Sequence, residues 1–253
     1  MLSALVTALA LTATPDLVFA FSNEKGDQLL ALTPLAAPAE LTKVSCDGKL
    51  LAIKHLAEQP EGPNNNGRQT ARNFTQVGGS LFKIVSGNVS ADALCLLGTE
   101  AAFAARKLFA VTPSDAPCDE KAAALAAKLG GKRKVTKCLV TGSFPGGRLL
   151  FAAYAPSGLN ALVATLVALD SGAVGSRRFP AKLAKDAPSC WRVDDGCVFD
   201  PASYRVLFAM NGPAGWELVA AWGGAESQNA ELLRLKASAL APAVTASRYW
   251  SPE

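Results

Sequence analysis

Histidine is almost absent from this chain, which holds one, His55, in 253 residues. A Ser-His-Asp or Cys-His catalytic arrangement would have to be built around it. The run from Lys49 to His55 alternates loosely, like a strand leading into a turn, so His55 reads as a structural or surface residue. Scarce histidine also argues against zinc, and the cysteines contain no CxxC pair. No metal and no cofactor are expected. Gly142-Ser143-Phe144-Pro145-Gly146 places its serine one position early for a nucleophile elbow. No GxGxxG occurs, and Arg133 after Gly131-Lys132 breaks the P-loop pattern.

Charge is sparse, at 18% of residues, and nearly balanced, at +4 net. The excess sits mid-chain, at Lys128, Lys132, Arg133, Lys134 and Lys137. No aromatic residue interleaves with these, which argues against a stacking platform for single-stranded nucleic acid. A solvated helix end followed by a turn is the plainer reading.

No apolar run is long enough to span a bilayer as a helix. Leu2 to Ala13 has the length of a signal-peptide core, although no Lys or Arg precedes it. Residues 1–14 are therefore expected to be a signal peptide, removed near Ala13 or Thr14. Val18-Phe19-Ala20 offers an alternative small-residue cleavage spacing. An exported protein would reside in the periplasm or outside the cell. There the six cysteines, Cys46, Cys95, Cys118, Cys138, Cys190 and Cys197, would form disulfides. Sequential pairing is the expected order, with Cys190–Cys197 the firmest pair.

What the chain does have is apolar bulk, at 50% hydrophobic residues, and one repeated phrase. Residues 205–220 read RVLFAMNGPAGWELVA. Residues 148–164 read RLLFAAYAPSGLNALVA, and residues 16–31 read DLVFAFSNEKGDQLLA. The phrase gives Phe19, Phe151 and Phe208 one role, and Gly26, Gly158 and Gly215 another. A degraded fourth copy starts at Leu81-Phe82. Each copy reads as a β-hairpin: a short apolar run buried on both faces, a turn, and an apolar return. Pro156 and Pro213 suit the first corner of the turn, and the glycines suit positive φ on its exit side.

Copies recur at roughly sixty-residue spacing with differing inserts, too irregular for a solenoid. The expected fold is mainly β, with repeated antiparallel hairpins forming a sandwich-like, barrel-like or small propeller-like architecture. One short helix is expected over 119–129, capped by Ser114 or Asp115 and ended by Gly130-Gly131. Glu100–Lys107 stays ambiguous between helix and strand. The organisation expected is β units over 15–110, with an exposed polar loop at 58–79, and further β units over 111–253.

Function is only faintly marked. If Cys190 and Cys197 pair, they close a small loop carrying Trp191, Arg192, Asp194 and Asp195. Trp and Arg are common binding anchors. The plainer alternative is a stapled turn at Asp195-Gly196 with Trp191 packed inward. All four tryptophans, Trp191, Trp216, Trp222 and Trp250, fall in the last quarter of the chain. Trp216 and Trp222 stand where the middle copy has Leu159 and Leu166. Candidate binding residues are thus Trp191, Arg192, Asp194, Asp195, Trp216 and Trp222. The expectation is an exported non-enzymatic binding protein for a protein or glycan ligand, with no nucleic-acid partner. Alternatives are a hydrolase using Asp194 and Asp195 as its carboxylates, or a structural envelope component.

Overall fold

The computed structural model describes residues 16–183, 189–191, 195–224 and 226–250. The predicted signal segment, Arg192 and Asp194 lie outside the described residues.

Six strands, β1 (Leu17–Ser22), β2 (Gln28–Ala31), β3 (Lys43–Cys46), β4 (Lys49–Gln59), β5 (Gly79–Ile84) and β6 (Leu94–Gly98), close into a small barrel. Its circular order is β1-β2-β5-β4-β3-β6. Along β1, Val18 and Ala20 face the barrel interior, while Leu17, Phe19 and Phe21 face outward onto other apolar groups. Both faces are buried, which is why β1 reads as an unbroken apolar run. The Cys46–Cys95 disulfide links β3 to β6 within this barrel.

A short helix, α1 (Glu100–Ala104), follows, capped by the Thr99 hydroxyl, which accepts from Ala102 N at 3.1 Å. This resolves the ambiguous stretch and adds a second helix to the one expected. Then come β7 (Lys107–Ala110), β8 (Thr112–Pro117), α2 (Glu120–Gly130), β9 (Val135–Phe144), β10 (Gly147–Ser157), β11 (Asn160–Leu169) and β12 (Val174–Lys182). The chain finishes with β13 (Tyr204–Gly212), β14 (Gly215–Gly223), β15 (Ser227–Lys236) and β16 (Ala239–Tyr249). These form one ten-stranded sheet in the order β7-β13-β14-β15-β16-β12-β11-β10-β9-β8. The two end strands, β7 and β8, are separated in the chain by Val111 alone, so the sheet curls back on itself and nearly closes.

The helix over 119–129 forms almost where expected, but its cap is Asp119, whose carboxylate accepts from Ala122 N at 2.8 Å. Ser114 and Asp115 belong instead to β8. Ala122 and Ala126 of α2 pack on Leu150, Ala152 and Tyr154 of β10. Cys118–Cys138 staples the start of α2 to β9.

All three phrases fold as antiparallel hairpins: β1–β2, β10–β11 and β13–β14. Gly26, Gly158 and Gly215 have φ of 67°, 57° and 85°, the left-handed region that only glycine enters freely. Pro213 takes the expected corner between Gly212 and Gly215. Pro156 does not: it lies within β10 at a register irregularity, and the tight turn is Gly158-Leu159. The degraded copy at Leu81-Phe82 is not a hairpin, because β5 pairs with β2 and β4 and not with the strand that follows it.

The three phenylalanines do not share one role. Phe151 lies inside the large sheet, whereas Phe19 and Phe208 meet in the cluster joining that sheet to the small barrel. A β-bulge between Val206 and Phe208 opposes two residues to one and reverses the side-chain parity of β13.

The segment between β4 and β5 is largely exposed, but Thr70, Asn73, Phe74 and Val77 are buried. Phe74 and Val77 cover Phe21 and Leu30 on the outside of the small barrel. The Asn73 amide donates to Asn65 Oδ1 and Arg68 O, both at 2.7 Å, which ties this segment together inside the fold.

Candidate functional site

Strand alternation places Leu149, Phe151, Val163, Val167, Ala209, Leu218, Ala220 and Leu233 on the inner face of the large sheet. Two aromatic groups fill its interior. Trp216, beside the β13–β14 turn, packs on Phe109 and Phe144 with ring centroids 5.2 and 5.1 Å apart. Phe179 contacts Phe199, Tyr204 and Trp222 at 5.5 to 5.8 Å.

A cavity of about 260 Å³ remains, with a mostly apolar lining. It lies at the seam where the sheet fails to close. β7 pairs with Phe208–Asn211, so among the described residues the Tyr204–Leu207 half of β13 has no strand partner on that side. Across the gap stands β8, an edge strand whose Pro113 and Pro117 lack N–H donors. The cavity is lined by Val111, Pro113 and Ser114 on one side and by Tyr204 and Val206 on the other, with Phe151, Thr165 and Leu218 deeper.

One polar layer interrupts this apolar interior. Thr165 on β11 stands opposite Arg177 on β12. Arg177 Nη2 donates to Glu231 Oε1 on β15 at 2.6 Å, and its guanidinium lies 5.8 Å from the Phe179 ring centroid. Tyr204 stands opposite Trp222. Burial raises the Tyr204 pKa strongly, with the Glu231 carboxylate adding to the shift and Thr165 and Arg177 opposing it. The phenol therefore stays protonated and neutral across the physiological range. Among the described residues, six buried side-chain polar atoms have no hydrogen-bond partner. Five of the six are in this layer: Thr165 Oγ1, Arg177 Nε, Tyr204 Oη, Trp222 Nε1 and Glu231 Oε2. Each unpaired buried polar atom costs about 1–3 kcal/mol, so such a concentration calls for a functional reason.

The sequence-derived candidates are distributed differently. The Asp195 carboxylate accepts from the backbone N–H groups of Cys190, Trp191 and Cys197 at 2.9, 2.7 and 2.7 Å. It holds together the loop that Cys190–Cys197 closes. Trp191 turns inward: its indole donates to Phe179 O at 3.2 Å and meets Phe199 edge-on. Trp222 joins the polar layer, and Trp216 packs in the apolar interior. His55 lies mid-strand in β4, not at a turn, 3.2 Å from Glu58 and edge-on to Phe82. Among the described residues no three His, Cys, Asp or Glu side chains converge to hold a metal ion.

Sequence reasoning missed Thr165, Arg177, Tyr204 and Glu231. The available signal was a lone polar residue at an inward position of an otherwise apolar strand, as in Leu162–Leu166 and Ala230–Leu233. Another cleft, beside the 60–78 segment, is lined by Glu58, Glu61 and Asn65. Its polar groups already engage each other or neighbours, with Glu61 accepting from Asn65 and Glu58 accepting from Ser80.

No protein-family model, curated protein or solved structure matches this chain.

Proposed function

We propose that this chain is an exported, non-enzymatic binding protein that holds a small apolar molecule inside the large sheet. The observation carrying this reading is the cavity at the β8–β13 seam, apolar in lining and reached where strand pairing stops. Concave apolar sites with a few convergent polar groups are the usual form of a ligand pocket, and near-closed β-barrels commonly provide them. The three disulfides fit an oxidising compartment, extracellular or periplasmic. A small-molecule ligand is favoured over a protein or glycan on the 190–197 loop, because Trp191 is turned into the core. Binding is favoured over carboxylate hydrolysis because three backbone amides occupy the Asp195 carboxylate.

The test is native mass spectrometry of the purified protein, with Nile red binding as a second readout. One apolar molecule per chain is expected, together with saturable Nile red binding. Val206→Phe, which fills the cavity from β13, should abolish both while the thermal midpoint holds. Retained binding in that variant, or none in the folded wild type, overturns the reading. Ester or glycoside turnover lost on Asp195→Asn with the fold intact would replace it with a hydrolase.

A further inference from the structure

The polar layer beside the cavity carries information about the ligand itself. Tyr204 and Thr165 both line the cavity and are 6% and 7% exposed; their hydroxyls lie near enough for Thr165 to lower the Tyr204 pKa, yet neither makes a hydrogen bond at full bonding distance. Beside them the Arg177–Glu231 ion pair, at 2.6 Å, cancels its own charge. We infer, resting on the cavity as the ligand site, that the ligand is an uncharged amphiphile whose apolar body ends in an alcohol or ketone oxygen bonded to Tyr204 and Thr165.

Charge decides against the alternatives. A carboxylate here would stand beside Glu231, and an ammonium group beside Arg177, whose side chains are 12% and 31% exposed. Each would bring one uncompensated charge beside a pair that is already balanced. A pure hydrocarbon would leave the two hydroxyls only each other to bond. A neutral oxygen satisfies them without adding charge. Because burial keeps the Tyr204 phenol protonated, it can donate to a ketone or exchange bonds with an alcohol.

Displacement of Nile red at neutral pH tests this, with heptane, 1-heptanol, heptanoate and heptylammonium as competitors. The alcohol should displace the probe at about tenfold lower concentration than either ion. In Tyr204→Phe and Thr165→Val the alcohol-to-heptane preference should fall by up to about tenfold, the worth of one hydrogen bond. The circular dichroism spectrum should show both variants folded, and the change should appear as a ratio of alcohol to heptane displacement within each variant. If an ion competes as well as the alcohol, or the preference survives both substitutions, the inference is overturned. Failure of the cavity reading looks different: folded wild-type protein would bind neither Nile red nor heptane, and both proposals would fall.

Discussion

Arg248, near the end of the chain, grips both carboxylate oxygens of Asp92, at 2.9 and 3.1 Å. Arg248 is 1% exposed, and its guanidinium lies 5.4 Å from the Phe21 ring centroid and 5.7 Å from that of Trp250. It also donates to Gln228 Oε1 and to the Gln69 carbonyl. One side chain thus ties β16 to β15, to the 60–78 segment and to the small barrel.

Loss of this group should be costly. Arg248→Met strips Asp92 of its bidentate partner, and breaking such a pair costs about 3 kcal/mol or more. Asp92→Asn should cost less, since its side chain is 26% exposed. The double mutant should be less destabilised than the sum of the singles. Urea unfolding of the four proteins measures this, and additive costs would show that the pair is not coupled.

Glu217 predicts a pH response. Burial pushes its pKa up, but Arg106 and Arg234, at 2.6 and 2.7 Å, outweigh burial and hold it below the usual 4.5. A depressed carboxylate stabilises the fold fully above its unfolded pKa. That stability is lost as pH falls through the lower folded value. Wild type should therefore lose stability on acidification below about pH 4.5 more steeply than Glu217→Gln, which has no such proton to take up. Parallel urea midpoints across that range for both proteins would contradict the assignment.

The disulfides should rank by the loop each closes. In the chain-entropy account, Cys46–Cys95, with a sequence separation of 49, contributes about 4 kcal/mol. Cys190–Cys197, with a separation of 7, contributes about 2 kcal/mol. Paired Cys→Ala substitutions followed by thermal unfolding test the order. A larger loss for the short loop would assign its main worth to native packing around Trp191.

The hairpin glycines should separate despite their equivalent places in the phrase. An added Cβ at Gly158 or Gly215 meets open space, so Ala there costs only the positive-φ strain, about 1–2 kcal/mol. At Gly26 the same Cβ would overlap the Val89 carbonyl oxygen. Gly26→Ala should be the most destabilising of the three, read by denaturant midpoint.

These contrasts trace what was legible in the chain. The Ala-rich run and Gly130-Gly131 are local, so α2 could be read within a residue of its observed start, although its cap is Asp119 and not Ser114 or Asp115. The hairpins were legible because Asn23, Pro213 and the glycines act through turns a few residues long. The cysteines pair in chain order, as expected, although Cys46–Cys95 spans 49 residues and is no local contact. The polar layer was not legible. Thr165, Arg177, Tyr204 and Glu231 belong to four strands, and β12 meets β16 only through a long-range parallel contact at Ser176 and Ala239.

Sequence alone therefore determined the local parts: apolar hairpins and one helix over 119–129. Those choices depend on dihedral preferences and on contacts between near neighbours. Tertiary structure decided the rest: which face each apolar strand shows, that β7 and β8 meet at Val111 without pairing, and that four distant polar side chains share one interior. Side-chain parity passes through bulges such as Leu207, and strand order depends on the net burial of the whole sheet, so neither can be set by any short stretch of chain.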